Sequence, residues 1–156
     1  MRKTWCQKLE DKSNFPKILT LQKGFPCYNA VHKMGAKAGD KIILVNPSEI
    51  MPLMAKVPKG KVTTLNAVCQ ALAHKHKVKG CCTLTTGIFI MTAANATAEA
   101  LAKGDKTVLA KIPYWRTLKA EGYLNDKYPG GQAKQKRLLQ KEGIEVITRG
   151  KKYQVA

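Results

Sequence analysis

The sequence predicts a mixed α/β fold in which a pair of helices is followed by a C-terminal β-hairpin and backed by an N-terminal layer. Three patterns lead to this prediction. Residues 41–45 form a short apolar run of the kind found in buried strands. Residues 65–73 carry apolar side chains at the spacing of one helix face. Residues 144–155 alternate around a turn, as the two strands of a hairpin do.

The composition indicates a basic globular protein. The 156 residues include 28 Lys and Arg against 10 Asp and Glu, a formal net charge of +18, and 44% are hydrophobic. That apolar content is enough for a packed core. The charge favours an anionic partner, with nucleic acid ahead of an acidic membrane surface or protein, whereas the alternative is a surface charged only for solubility.

We divide the chain at residues 56 and 57. Residues 1–56 are expected to be loop-rich, with a strand at 41–45 and a helix that Asn46 or Ser48 caps. A short amphipathic helix is also expected near residues 3–12.

Residues 57–156 are expected to form a winged-helix-like domain. Thr63 or Thr64 caps its first helix, and a basic turn at residues 74–80 leads to a second helix that runs from about residue 85 to 102. A cationic helix at residues 132–141 precedes the hairpin, which turns at residues 149–151. The positively charged tip of this hairpin is typical of a wing.

The stretch from residue 80 to 98 carries no charge. Read as a helix, it has one apolar face and a second face of small or hydroxyl side chains. The apolar face holds Ile88, Met91, Ala94 and Ala98, and the second face holds Thr85, Thr92, Ala93 and Ala96. A small-residue face can lie close against a nucleic-acid groove, and hydroxyl and backbone N–H groups can meet phosphates. The alternative is an ordinary core helix.

The cysteines predict neither a disulfide framework nor a metal site. Five cysteines occur at irregular spacing, and the N-terminus has no apolar run, so we expect a cytoplasmic protein without a signal peptide. Zinc at Cys6, Cys27 and His32 departs from the usual ligand spacing, so we expect no cofactor. Cys81 and Cys82 are the best candidates for a reactive thiol, since they follow a basic turn and precede a helix.

Several stretches of the second segment resemble one protein family. Their order and approximate spacing, across about residues 57–147, are similar to those in the DNA-binding domain of the O6-alkylguanine-DNA alkyltransferase family, particularly its alkyltransferase-like members. The matching residues are Gly60–Thr64, Asn95, Ile112–Arg116, Tyr128–Gly131, Leu138, Leu139, Glu142, Gly143 and Val146.

The resemblance implies that the second helix enters the minor groove and that a damaged guanine is flipped out of the stack. The family's Pro-Cys-His-Arg loop supplies the accepting thiolate, but here Tyr114 stands in the Cys position and Trp115 in the His position. Tyr has a pKa of about 10 and cannot replace a thiolate as methyl acceptor. The resemblance therefore implies a non-catalytic binder in which Arg116 and Glu142 support the loop.

Two further departures concern the base-flipping residues. Leu84 stands near the position of the family's intercalating Arg, and Leu65 stands at the position of a Tyr that rotates a phosphate. Leu84 is instead an apolar side chain of the kind that minor-groove binders wedge between bases.

We therefore expect a cytoplasmic, monomeric protein that binds double-stranded DNA containing O6-alkylguanine and flags the lesion to excision-repair proteins, without contact with a membrane. The alternatives are an active methyltransferase that uses Cys81 or Cys82, and a general winged-helix nucleic-acid binder. The expected DNA-binding residues are Thr64, Lys75, Lys77, Lys79, Thr85, Thr86, Gly87, Asn95, Arg149 and Lys151. The expected base-pocket residues are Tyr114, Trp115, Arg116 and Tyr128.

Overall fold

A computed structural model describes residues 4–10, 16–104 and 111–156, apart from the side chains of residues 6, 9 and 10. The described helices are α1 (Trp5–Glu10), α2 (Tyr28–Lys33), α3 (Pro47–Ala55), α4 (Leu65–Lys75), α5 (Thr83–Ala102) and α6 (Gly131–Lys141). The described strands are β1 (Lys17–Thr20), β2 (Lys41–Leu44), β3 (Thr63–Thr64), β4 (Gly80–Cys81), β5 (Thr117–Leu118), β6 (Val146–Arg149) and β7 (Lys152–Val155). The predicted mixed α/β class is confirmed.

A three-stranded sheet of order β1-β2-β4 lies in the N-terminal part of the fold. Strand β2 pairs antiparallel with β1 and parallel with β4, so it is the central strand. Its Ile42 and Ile43 are buried, as the apolar run predicts. Sequence patterns did not indicate β4, because its two residues become a strand only by pairing with Ile42 and Ile43.

Helix α3 begins directly after Asn46, which caps it. Asn46 accepts a hydrogen bond from the Ser48 N–H at 2.9 Å, and the Asn46 N–H donates to the Glu49 carboxylate at 3.2 Å. This reciprocal arrangement is a capping box, and Pro47 fits the first turn because its missing N–H has no partner there in any helix. The predicted start of this helix is confirmed.

Helices α4 and α5 form the predicted pair. Thr64 caps α4 by accepting from the Ala67 N–H at 3.2 Å. Cys82 caps α5, which begins at Thr83, two residues before the expected start. The buried side chains of α4 are those of the predicted stripe, Val68, Cys69, Leu72 and Ala73. Between the two helices lie the basic turn and strand β4.

For most of α5, the structure supports the alternative of an ordinary core helix. The small-residue face is buried, since Thr92, Ala93 and Ala96 lie in the interior, whereas Ile88 is 49% exposed. Hydroxyl groups tolerate this burial because they bond to the helix backbone. Thr92 donates to the Ile88 carbonyl at 2.7 Å, and Thr97 donates to the Ala93 carbonyl at 2.9 Å.

The two segments divided at residues 56 and 57 share a core. Ile43, Ile50 and Met54 from the first pack in one cluster with Val68 and Ala93 from the second. Strand β4 also completes the sheet of the first segment. The described part of the first segment contains the expected strand and α3, a helix α1 within the range expected near residues 3–12, and also β1 and α2.

The C-terminal hairpin is confirmed, with Arg149 opposite Lys152 and Gly150 in the left-handed region at φ 62°. Helix α6 ends at Lys141, as predicted, and its Leu139 packs with Leu118 and Leu124 beneath the hairpin. Among the described residues, no helix combines the length and apolar character that crossing a membrane needs.

Candidate functional site

A cleft of about 250 Å³ lies where the first turns of α5 meet the start of α4 and the segment that follows β5. That volume is near the lower end of the range for small-molecule sites, roughly 300–1,000 Å³, and suits one planar heterocycle better than a larger ligand. The lining residues are Leu65, Thr83, Leu84, Gly87, Ile88, Ile90, Met91, Leu118, Lys119, Asn125, Lys127 and Tyr128.

The walls of the cleft are apolar and its charged side chains are all positive. Leu84 and Ile88, one helical turn apart, are 51% and 49% exposed. Lys119 and Lys127 are exposed, and none of the lining residues is acidic. Such a cleft can bury a flat apolar surface while its rim attracts negative charge.

The first turn of α5 is anchored inward by its polar side chains. The Thr85 N–H donates to Cys82 Sγ at 3.5 Å, and Thr86 hydrogen-bonds with Cys81 Sγ at 3.2 Å. Thr86 is fully buried, so it differs from our expectation of a DNA-facing residue. Thr85 is half-buried, and Gly87 lines the cleft, where its missing side chain leaves space beside Leu65.

The opposite wall is the loop before α6, and two side chains hold it. Asn95 donates to the Met91 carbonyl at 2.9 Å and to the Lys127 carbonyl at 3.0 Å. The buried Gln135 accepts from the Asn125 N–H at 2.7 Å and donates to the Trp115 carbonyl at 3.1 Å. Asn95 therefore fixes the loop to α5, while its predicted contact with DNA stays a prediction.

The end of this loop needs two glycines. Gly130 and Gly131 have φ values of 77° and 69°, which L side chains rarely adopt. A Cβ on Gly130 would also lie 2.6 Å from a side-chain carbon of Lys134. The Tyr128–Gly131 motif is thus explained by the turn that starts α6 behind the cleft.

Three aromatic rings pack together at the cleft, one in its lining and two behind it. Tyr114 packs edge-to-face with Trp115 and with Tyr128, with ring centroids 5.4 and 5.5 Å apart. Tyr128 lines the cleft and donates to the Thr117 carbonyl at 2.7 Å. Burial raises the pKa of Tyr114 and of Tyr128, so both phenols stay neutral near pH 7.

Most of the residues expected to form the base pocket do not line the cleft. Of the four residues expected there, Tyr128 lines the cleft, whereas Tyr114, Trp115 and Arg116 do not. Tyr114 is 3% exposed because it packs into the main core. These aromatic side chains therefore support the wall of the cleft from behind.

Arg116 is fully engaged with partners away from the cleft. Its Nε donates to both carboxylate oxygens of Glu142, at 2.9 and 3.1 Å, and a terminal nitrogen also bonds Glu142. The other terminal nitrogen donates to the Val57 carbonyl at 2.8 Å. Hydrogen bonds from Arg116 hold the pKa of Glu142 below its usual value, against the opposing effect of burial.

The remaining expected DNA contacts lie at two exposed places. Lys75, Lys77 and Lys79 lie at the end of α4 and in the turn after it, with Lys75 also 3.1 Å from a Glu49 oxygen. Arg149 and Lys151 are exposed at the hairpin tip. Thr64 uses its hydroxyl to cap α4.

Glu49 is the counter-ion at the basic turn. Burial opposes its ionisation, but hydrogen bonds from His76, the Asn46 N–H and Lys75 outweigh burial and lower the pKa of Glu49. His76 Nε2 lies 2.5 Å from the same carboxylate. The turn is thereby fixed to the start of α3.

Sequence reasoning missed much of the wall opposite α5. Leu118, Lys119, Asn125 and Lys127 line the cleft, but they form no motif and lie far from α5 in the sequence. A signal was present in their position between the Ile112–Arg116 and Tyr128–Gly131 motifs.

The three residues considered as zinc ligands, Cys6, Cys27 and His32, are only partly described. The side chain of Cys6 lies outside the described part of the chain, and His32 Nδ1 lies 3.0 Å from the Ala36 carbonyl oxygen. Within the described residues, no three His, Cys, Asp or Glu side chains are placed to share a metal ion. Cys81 and Cys82 are buried and do not line the cleft.

The fold and the cleft define a basic, mixed α/β protein with an apolar cleft at the start of a long helix. Among solved structures, S. pombe Atl1 in complex with damaged DNA containing O6-carboxymethylguanine matches with a TM-score of 0.47 and 17% identity, over 70% of this chain and 87% of that chain. S. pombe ATL in complex with DNA matches with a TM-score of 0.48 and 16% identity, over the same shares. Both solved structures are of the S. pombe alkyltransferase-like protein. No family model matches the chain, and no match was found among curated proteins.

Proposed function

We propose that this protein binds double-stranded DNA and holds an alkylated guanine in the cleft without removing the alkyl group. The observation that carries the proposal is the cleft itself, with apolar walls and a rim of Lys119 and Lys127 in a chain of net charge +18. A base turned out of the duplex needs a flat apolar slot, and the phosphates beside it need positive charge. A bound lesion would then be passed to excision-repair proteins.

In this proposal the exposed start of α5 faces the minor groove. Leu84 and Ile88 project toward the groove, and no Lys or Arg lies on the same turns of α5. The helix can therefore approach the bases closely. The β6–β7 hairpin acts as a wing, with Arg149 and Lys151 at its tip on the phosphate backbone. Lys75, Lys77 and Lys79 supply further phosphate contacts, and the protein acts as a monomer without a cofactor.

The absence of methyl transfer is proposed from the acceptor position. Tyr114 stands there in the sequence resemblance, and it is a buried neutral phenol whose pKa is raised further by burial. The alternative acceptors Cys81 and Cys82 are 0% and 5% exposed and do not line the cleft. A thiol must reach the alkylated base to accept its alkyl group.

One observation favours a second candidate, a nucleic-acid binder with no preference for damage. Tyr114 and Trp115, the aromatic residues expected to stack on a flipped base, lie behind the cleft rather than in it. Such a protein would use the same cationic surface but would bind plain and alkylated duplexes equally.

Competition binding separates the two candidates. A fluorescent duplex containing one O6-alkylguanine is displaced by unlabelled duplex, either plain or modified, at several salt concentrations. The proposal predicts tighter binding of the modified duplex at every salt concentration, since base recognition adds to the salt-dependent phosphate contacts. Equal affinities would instead establish the general binder.

Intact-mass measurement tests for methyl transfer. The protein is incubated with excess O6-methylguanine duplex and then weighed. An unchanged mass is expected. A gain of one methyl group on Cys81 or Cys82, located by peptide sequencing, would overturn the non-catalytic part of the proposal.

A further inference from the structure

Two adjacent cysteines at the start of α5 face different parts of the protein. Cys81 ends strand β4 and Cys82 follows it in extended backbone, so their side chains point to opposite sides. Cys81 packs in the main core with Cys69, whereas Cys82 packs in the N-terminal cluster with Cys27. The described thiols therefore form two separate pairs, one on each side of β4.

The Cys27–Cys82 pair joins two elements that are distant in the sequence. Cys27 is the residue before the first turn of α2, and Cys82 is the capping residue of α5. Burial, followed by hydrogen bonding with the Cys82 thiol and charge repulsion from it, raises the pKa of Cys27 to about 12. Both cysteines lie in the same buried cluster, and both are free thiols in the structure.

The two pairs differ in their access to solvent. Cys27 and Cys82 are 6% and 5% exposed, whereas Cys69 and Cys81 are both 0% exposed. The first pair therefore lies closer to solvent than the second and outside the main core. The environment of Cys82 also suits attack, because its sulfur accepts the Thr85 N–H at the positive end of a 20-residue helix.

We propose that Cys27 and Cys82 form a redox modification site at which a peroxide converts the two thiols into a disulfide. The Cys82 thiolate attacks one peroxide oxygen, the O–O bond breaks, and the released hydroxide takes up a proton to leave as water. Cys27 then attacks the sulfur of the resulting sulfenic acid and forms the S–S bond. The hydroxyl group departs with the Cys27 proton as a second water. Both thiols are oxidised by one electron each, and one hydrogen peroxide is reduced to two waters.

The proposed disulfide would tie α2 to the first turn of the helix that lines the cleft. The inference stands on the packing, exposure and hydrogen bonding of the cysteines and does not depend on the proposed DNA-binding function. Cys27, protonated at neutral pH, acts as the resolving thiol rather than as the first site of attack.

Peptide mapping of the full chain tests the proposal. The protein is treated with hydrogen peroxide, its remaining thiols are alkylated, and it is digested with trypsin without reduction. We expect a cross-link between peptide 24–33, which holds Cys27, and peptide 80–103, which holds Cys81 and Cys82. A reductant should reverse it. A cross-link of peptide 62–75 to 80–103 instead, or no cross-link while thiols are oxidised further, would overturn the proposal.

Single variants identify the sulfur atoms involved. Cys82→Ser and Cys27→Ser should each abolish the cross-link, whereas Cys81→Ser and Cys69→Ser should retain it. Circular dichroism before oxidation shows whether each variant is folded. If a variant does not fold, the peptide map of the wild-type protein still tests the proposal. A cross-link that persists in Cys82→Ser would assign the reaction to Cys81 and overturn the proposed pair.

Discussion

Arg116 and Glu142, 26 residues apart, hold each other through paired hydrogen bonds between guanidinium and carboxylate, and both side chains are largely buried. The same guanidinium donates to the Val57 carbonyl, so one side chain joins the end of α6 to the segment before α4. The planar fork of Arg is what permits both contacts at once. This pair fixes the turn at residues 114–116, on which the wall of the cleft rests.

Removing Arg116 should destabilise the protein strongly. Arg116→Ala leaves a buried carboxylate without its partner, and breaking a buried pair in this way costs about 3–5 kcal/mol. Urea unfolding followed by circular dichroism measures the change in the free energy of unfolding. Arg149→Ala is the matched control, because Arg149 is exposed, and its effect should stay within about 0.5 kcal/mol. Similar values for the two variants would contradict the structural role of Arg116.

Acid should destabilise the protein partly through Glu142. The pKa of Glu142 is lower in the folded state than its ordinary value of 4.5, because Arg116 bonds the ionised form. The stabilisation is therefore present above the unfolded-state pKa and is lost as the pH falls below about 4.5 through the folded-state pKa. Glu142→Gln should show a smaller loss of melting temperature between pH 6 and pH 3 than the wild type. An equal loss would exclude this linkage.

Gly80 should tolerate no side chain. A Cβ at this position would lie 2.6 Å from Val31 Cγ1 in the packed layer between β4 and α2. Gly80→Ala should lower the free energy of unfolding by about 1–3 kcal/mol, the usual cost of overpacking. Gly24→Ala is the control, since nothing lies within 4 Å of a Cβ there, and it should be nearly neutral. Equal stabilities of the two variants would show that the layer can relax.

The cationic rim should set part of the salt dependence of DNA binding. Lys119→Ala and Lys127→Ala together should weaken binding to any duplex. They should also reduce the slope of log K against log salt by about 0.9 for each phosphate that the variant no longer neutralises. The loop should keep its shape, because the hydrogen bonds that hold it at these residues use backbone atoms. Lys33→Ala on α2 is the control, and an unchanged slope in the rim variant would remove the rim from the interface.

Local signals in the sequence predicted the elements whose causes are local. The Asn46 and Thr64 caps act within three residues, and the hairpin at residues 146–155 is closed by a two-residue turn. Such features depend on backbone hydrogen bonds between near neighbours. Their positions could therefore be predicted without knowledge of the tertiary structure.

Features set by long-range packing could not be predicted in the same way. Strand β4 exists only through its pairing with β2, about 38 residues earlier. The side chains of α5 are mostly small, so they show no clear polar and apolar faces, and Thr86 points inward only because Cys81 meets it. The cleft brings Leu65 and Leu118 together across a sequence distance that no local pattern spans.

Leu84 should contribute to DNA binding without contributing to stability. It is 51% exposed at the mouth of the cleft, where the proposed function brings it against the minor groove. Burial of this side chain between bases should be lost in Leu84→Ala, so affinity for a duplex with an alkylated guanine should fall roughly tenfold, the equivalent of about 1.4 kcal/mol. Leu101→Ala is a matched control on the same helix, since Leu101 is 56% exposed and about 25 Å further along the axis. Fluorescence anisotropy gives both affinities, and thermal unfolding should show unchanged melting temperatures. Equal affinities of the two variants would show that Leu84 does not insert between bases. They would also contradict the proposed orientation of α5 in the minor groove.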